Sequence, residues 1–315
     1  MYDVRTATAA DLAAVIALVT RLQQDPAHQI GFHGETEEEV AEELAELGPD
    51  WAAGAVVAVD GNGRLRGVLS VEVDREQRRA YLYGPFVDVP ANHPAAGQLW
   101  QATADAMYAH ASAQPPMAGV VGVELFGHRG NRLLADFAAR HDAPVQMTTR
   151  CFLLSGAPLR SLLVKGADPA PDDRVTLLPA DAAVRDAVIA LHDRCFPNAP
   201  TSGRQLVSGD RHTVVVLSKE GRLLGYAGGY AQAEEYYVDV VGVDPEARSC
   251  GMGRTLVRRL LGELSRTGGP RDRAAALIRH GNDASEQMFL KLGFELHSEL
   301  VSYHVDRTAA HRPAV

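Results

Sequence analysis

Val243-Asp244-Pro245-Glu246-Ala247-Arg248-Ser249-Cys250-Gly251-Met252-Gly253-Arg254 decides the reading of this chain. Upstream, Tyr236 to Val243 is a β-branched and aromatic run that predicts a strand. Downstream, Leu256, Val257, Leu260, Leu261 and Leu264 recur at helical spacing, so a helix starts near Gly253. The stretch therefore joins a strand's end to a helix's start. Two glycines two residues apart let the backbone approach a ligand without a Cβ in the way. The helix start behind them offers unbonded N–H groups and the positive end of the helix dipole, which together suit a phosphate. The same residues also suit a plain strand–helix turn. Other phosphate loops fit worse. A dinucleotide fingerprint needs a third glycine where Leu256 stands, and a Walker loop needs Lys where Arg254 stands.

Charge agrees with a small anionic ligand. The 315 residues carry 31 Lys and Arg against 40 Asp and Glu, a net charge of −9 that argues against nucleic acid as a partner. Yet residues 248–273 hold seven Arg and two acids, a local positive field. The opposite bias, seven Glu in residues 35–47, reads as the solvated face of a helix whose apolar side carries Val40, Leu44 and Leu47. The three cysteines, Cys151, Cys195 and Cys250, lie far apart, and the twelve histidines form no cluster at ligand spacing. Neither a disulfide framework nor a metal is expected, and a reducing cytoplasm is. The longest helical apolar run, Leu12 to Val19, is eight residues, short of the ~20 that span a membrane. Met1 to Arg5 has no signal-peptide pattern.

Working outward, the chain repeats itself. Ala14-Val15-Ile16-Ala17-Leu18 returns as Ala187-Val188-Ile189-Ala190-Leu191, 173 residues on. Gly63-Arg64-Leu65-Arg66-Gly67 returns as Gly221-Arg222-Leu223-Leu224-Gly225 at 158, and Val87-Asp88 with Gly97 as Val243-Asp244 with Gly253 at 156. Asn131 and Asn282 both open helical patterns and differ by 151. Four matches in one order with slowly drifting offsets indicate a tandem duplication. The turn-rich segment 156–173 reads as a linker between a first domain at 1–155 and a second at 174–305, with a tail at 306–315. The second half reads as a helix over Asp181 to Phe196 and a short helix. A hairpin of Thr213–Leu217 with Leu223–Tyr230 follows, then the strand and helix above, a strand Ala274–Ile278, a helix Ala284–Leu292, and Leu296–Val305 closing the sheet. The fold class is α/β (α+β), two similar domains, each a mixed, mostly antiparallel sheet flanked by helices.

Arg248-x-x-Gly251-x-Gly253 after Val243-x-Pro245 resembles the pyrophosphate loop of the GNAT N-acetyltransferases. Asn282-x-x-Ser285-x-x-x-Phe289-x-Lys291-Leu292-Gly293-Phe294 is similar to that family's second signature, on the helix along pantetheine. The resemblance covers about residues 174–305. The first half matches only faintly: its loop reads Asn92-His93-Pro94-Ala95-Ala96-Gly97, without the arginine and the first glycine, and Pro94 removes an N–H. A degenerate domain followed by an intact one is the plan of tandem GNAT proteins of the mycothiol synthase type.

The resemblance implies acetyl-CoA as co-substrate. The backbone of Arg248, Ser249, Cys250, Gly251, Met252, Gly253 and Arg254 would hold its pyrophosphate. Main-chain groups of Val241 and Val243, with Asn282, Ser285 and Phe289, would line pantetheine. On strict alternation Tyr237, Asp239, Val241 and Val243 share a face. Asp239 is then either the base that takes the amine proton or a salt-bridged rim carboxylate, and Tyr237 shapes the pocket beside it. Phe289 stands where many relatives carry a general-acid tyrosine. Asn282 and Ser285 suit a helix start equally well, and Cys250 reads as a small filler rather than a nucleophile. The expected activity is direct acetyl transfer to the amine of a small molecule in a ternary complex. Acetylation of a protein or peptide amine and a non-catalytic acyl-CoA sensor are the alternatives, and oligomeric state is left open.

Overall fold

The turn Glu220-Gly221 has positive φ at both residues (53° and 77°), the backbone of a tight hairpin turn whose twist matches its strands. Around it the computed structural model builds the rest of the chain, describing residues 2–48, 51–90, 93–167, 174–197, 199, 201–209, 211–248 and 251–308. In chain order the elements are β1 (Asp3–Thr6), α1 (Leu12–Gln23), α2 (Glu37–Glu46), β2 (Ala55–Val59), β3 (Leu65–Asp74), β4 (Arg79–Val87), α3 (Ala96–Ser112), β5 (Gly122–His128) and α4 (Arg132–Arg140). They continue as β6 (Val145–Ser155), α5 (Gly156–Ala167), β7 (Val175–Leu177), α6 (Ala182–Cys195), α7 (Gly203–Ser208), β8 (Thr213–Lys219) and β9 (Arg222–Ala231). The last are β10 (Glu235–Val243), α8 (Met252–Gly268), β11 (Arg273–Arg279), α9 (Asp283–Leu292) and β12 (Glu295–Asp306). The sequence β-α-α-β-β-β-α-β-α thus occurs twice.

The chain forms two units, residues 1–149 with 299–315 and residues 150–298. In the first, the strand order is β1-β2-β3-β4-β5-β12, and in the second β6-β11-β10-β9-β8-β7. Among the described pairings, β4 with β5 and β10 with β11 are parallel. The hairpins β2–β3–β4 and β8–β9–β10 are antiparallel.

Two expectations are corrected. Leu296–Val305 does not close the sheet of the second half. From Leu300 on, β12 pairs antiparallel with β5 (Leu300↔His128 to Asp306↔Gly122), while β6 takes the place beside β11. The segment 156–173 is not simply a linker either. It opens as α5, whose Leu159 and Leu162 are buried in the core of the second unit with Leu256, Leu260 and Leu264; residues 168–173 lie outside the described residues. The domain boundaries therefore fall at 149/150 and 298/299. Residues 309–315 of the expected tail also lie outside the described residues.

The core positions read from spacing are met. Leu256, Val257, Leu260, Leu261 and Leu264 of α8 are all buried, and Asp181 caps α6 by accepting from the Ala183 N–H at 2.7 Å. The glutamate run is only partly solvated. Val40 and Leu44 are buried, but Glu39 folds back to accept the Thr36 N–H, and Glu43 accepts the Gly34 N–H.

β12 supplies every backbone partner on one edge of β5. A chain ending at Ser298 is expected to lose hydrogen-exchange protection at Val123–Gly127 while α8 keeps its own, and equal protection in both proteins would refute the strand assignment.

Candidate active site

Pairing between β10 and β11 runs from Glu235↔Arg273 to Val238↔Ala276 and stops there, although the strands continue to Val243 and Arg279. At the same point Asp239 is an extra residue opposite β9, because Val238 faces Gly229 and Val240 faces Gly228. A β-bulge of this kind bends its strand and increases its twist. Beyond the bulge the Asp244 N–H bonds to the Leu224 carbonyl at 2.9 Å. In an antiparallel ladder such bonded positions alternate, so residues 244, 242 and 240 face β9. Val241 and Val243 turn their N–H and C=O groups to the other edge, from which β11 has departed. The Val243 carbonyl there accepts from Arg248 Nε at 3.2 Å. Apart from that bond, the Val241 and Val243 peptide groups face the edge that β11 has left.

The bulge also corrects the face assignment. The side chains of Val241 and Val243 pack on the core cluster with α8, whereas Val240 packs with Tyr226 and Leu206 on the opposite face. Tyr237 lies opposite Tyr230, the two rings tilted at 42° with centroids 5.2 Å apart. So strict alternation fails at Asp239, and the four residues do not share one face.

The slot leads to the glycine loop. Pro245–Ala247 forms a single 3-10 turn, and Gly251 caps α8 with φ +76°. At that angle an L side chain is strained, which gives Gly251 a backbone reason to be glycine. A Cβ on Gly253 would meet Met288 Sδ of α9, so this glycine permits the close approach of two helices. Ser249 and Cys250 lie outside the described residues. The loop is braced from behind. Asp244 accepts the Glu246 N–H and pairs with Arg222 at 3.2 Å, and these contacts hold its carboxyl below the usual carboxylate range.

The positive field is smaller than seven arginines. Arg259 and Arg266 both pair with the buried Glu263, Arg273 pairs with Glu235, and Arg271 donates to backbone carbonyls. Among the described residues, Arg254 and Arg258 of the seven make neither an ion pair nor a bond to the backbone, and Arg248 makes only its bond to the Val243 carbonyl. Arg248 and Arg254 flank the start of α8.

Asp239 belongs to a cluster that sequence reading only half found. Its Oδ2 accepts from His212 Nε2 at 2.9 Å, the imidazole being 7% and the carboxylate 24% exposed. His212 stands edge-on to Tyr230 at 5.2 Å, and the Arg211 guanidinium lies 4.1 Å over the same ring. Burial, reinforced by the Asp239 charge, raises the Tyr237 hydroxyl well above its ordinary value, so it stays protonated. Arg211, His212 and Tyr230 carried no signal because they flank a strand start and a strand end. Only the register of β9 on β10 brings them to Asp239.

On α9, Asn282 accepts the Ser285 N–H at 3.3 Å, the helix-cap role. Phe289 is buried edge-to-face on Phe294 at 4.9 Å, in the core cluster against which Val241 and Val243 also pack.

A model of the Acetyltransferase (GNAT) family matches residues 185–294. N-alpha-acetyltransferase RimI of Mycobacterium tuberculosis (strain ATCC 25618 / H37Rv) is 35% identical over 136 residues, covering 41% of this chain and 82% of that protein. The chain belongs to the GNAT acetyltransferase family. It is therefore an acyltransferase, and the family uses acetyl-CoA as co-substrate. The fold is shared over the whole chain with two solved structures. One is a GCN5-related N-acetyltransferase from Sphaerobacter thermophilus, with TM-score 0.68, 16% identity, and 100% of this chain and 97% of that one covered. The other is a tandem GNAT protein from the clavulanic acid biosynthesis pathway, with TM-score 0.60, 16% identity, and 99% and 100% covered.

The first GNAT unit has the same slot and fills it with itself. β4 and β5 pair only as far as Leu82↔Leu125, and β4 carries an extra residue opposite Leu69. Beyond that point the Gly31 N–H bonds to the Phe126 carbonyl at 2.7 Å and the His128 N–H to the Gln29 carbonyl at 3.0 Å. Since β12 occupies the other edge of β5, Gln29–Gly31 lies in the opening towards β4. Buried Gln23 clamps it, accepting the Ile30 N–H and donating to the Ile30 carbonyl. Phe32 then stacks on Tyr83 at 4.9 Å. Pro85 stands 156 residues before Val241 and has no N–H to offer. The Ala95 N–H is spent on His93 Nδ1; Asn92 lies outside the described residues.

Arg248→Ala is expected to weaken coenzyme A binding about ten- to hundredfold, the range of a lost charge-assisted contact, with apo Tm unchanged. Gly251→Ala should lower stability by about 1 kcal/mol through its left-handed backbone. Gly251→Glu should share that loss and weaken binding further than alanine does. Calorimetry of the three variants checks both effects, and unchanged affinity in Gly251→Glu would overturn the phosphate assignment.

Proposed function

We propose that the second unit transfers the acetyl group of acetyl-CoA directly to a primary amine in a ternary complex. The observation that carries the reading is the juxtaposition, at one bulge, of the open backbone edge of Val241 and Val243 with the Asp239 carboxylate. Acetyl-CoA supplies a thioester activated towards an amine. The loop from Arg248 to Arg254 holds its pyrophosphate. Asn282 and Ser285 begin the helix beside pantetheine, and N–H groups of the freed β10 edge polarise the acetyl carbonyl. The amine nitrogen forms the new C–N bond, its proton passes to Asp239, and the C–S bond breaks with its electron pair on sulfur. Phe289 has no proton to give, so the departing thiolate is protonated by water. Coenzyme A thiol is acidic enough for this near neutral pH.

The acceptor is a small molecule bearing an amine, bound on the Tyr230–Tyr237 side of Asp239. A second reading, the α-amine of a peptide, is favoured by the N-alpha-acetyltransferase among the relatives. Acetyl-CoA binds once per chain, because Gln29–Gly31 occupies the slot of the first unit. Scattered cysteines favour a cytoplasmic setting.

Thiol release from acetyl-CoA is the assay, over a panel of free amino acids, amino sugars, polyamines and short peptides with free N-termini. Turnover with free amines and not peptides is expected, and the converse establishes the second reading. Asp239→Asn should lower kcat about 10²- to 10⁴-fold with the Kd for coenzyme A unchanged. No turnover with any panel amine would overturn the enzymatic reading of the site. Calorimetry should return one coenzyme A site per chain, and two equivalent sites would contradict the filled slot.

A further inference from the structure

We propose that His212 is a positioning residue for Asp239, holding the carboxylate aimed at the acceptor amine; this rests on reading Asp239 as the proton acceptor. A carboxylate on a bulge has no neighbouring ladder to orient it. Asp239 has one hydrogen-bond partner among the described residues, His212 Nε2 at 2.9 Å on Oδ2. That bond leaves Oδ1 as the oxygen available to a proton, and Oδ2 tied.

The imidazole is itself fixed. It is almost fully buried and stands at 89° to the Tyr230 ring, and Tyr230 is in turn in contact with the Arg211 guanidinium and with Tyr237, tilted 42° to it. The groups facing the pair are Arg211 ahead of β8, Tyr230 on β9 and Tyr237 on β10, with Tyr226 of β9 within electrostatic reach of Asp239. Burial keeps the Tyr226 and Tyr237 hydroxyls protonated. Arg211 is turned onto a ring, which leaves His212 as the direct donor to the carboxylate.

The fixed geometry matters because a proton acceptor acts only within hydrogen-bond reach of the nitrogen. An Asp239 side chain freed of this donor samples other rotamers, which carry Oδ1 out of that reach.

The test uses the full chain and the panel amine with the highest turnover. His212→Ala is expected to lower kcat about 10- to 100-fold, the loss of one hydrogen bond to a charged group. KM for acetyl-CoA should be unchanged. His212→Gln, whose amide can still donate, should restore most of kcat. In the Asp239→Asn chain, removing His212 as well should cost little further, because the two side chains act as one unit. His212→Phe, which fills the space without donating, replaces His212→Ala should that variant fail to fold. Full kcat in the variant without a donor, or losses in His212→Ala and Asp239→Asn that simply add, overturn the proposal. Asp239→Asn with full activity overturns instead the reading of Asp239 on which it rests.

Discussion

One extra residue, Asp239, sets the course of the central strand in the second unit. A strand can satisfy its backbone on both edges only while both neighbours keep register. The insertion at Asp239 bends β10, so that pairing with β9 resumes one residue out of step and pairing with β11 ends at Val238. Two consequences follow from that single bend. Val241 and Val243 turn their peptide groups to an edge that β11 has left, where Arg248 takes the Val243 carbonyl, and an acidic residue sits at the bulge where the strands part. A regular strand in the same position would bury the first and forbid the second, since a lone carboxylate within a sheet is costly.

The first unit shows the same constraint solved in another way. Its β4 and β5 also part, at Leu82 and Leu125, and there too the freed edge needs partners. It obtains them from Gln29 and Gly31, with Gln23 and Phe32 fixing the segment on either side. The buried histidine there, His33, pairs with Glu43 at 2.9 Å, and burial raises the Glu43 carboxyl. Duplication therefore preserved the divergent strands in both units. In the first unit Pro85 and Pro94 have no N–H to offer, and the opening is filled by internal packing.

Charge is sorted by distance along α8. Its far turns neutralise their arginines internally around Glu263, which bridges Arg259 and Arg266 at 2.6 and 2.7 Å. The near turn keeps Arg248 and Arg254 without acidic partners among the described residues. The helix dipole and these two cations then act in the same sense at the loop. An even spread of seven charges would have produced a broad basic surface instead of a local anion site.

Local patterns were legible in the sequence. The Gly251-Met252-Gly253 loop, the α8 core stripe, the hairpin at Glu220-Gly221, the Asn282 cap and the repeated plan all rest on interactions within about a turn or a strand, which neighbouring residues specify directly. Register and partner choice were not legible. Alternation placed Asp239 on one face with Val241 and Val243 because a bulge leaves no mark in the residue types around it. Arg211, His212 and Tyr230 join the site through cross-strand pairing, far from it in sequence. The exchange of β6 and β12 was hidden for a related reason. In a duplicated chain the two closing strands carry the same alternating pattern, so either satisfies either sheet. Only the tertiary structure, through the path of the connecting chain, selects β12 for β5 and β6 for β11.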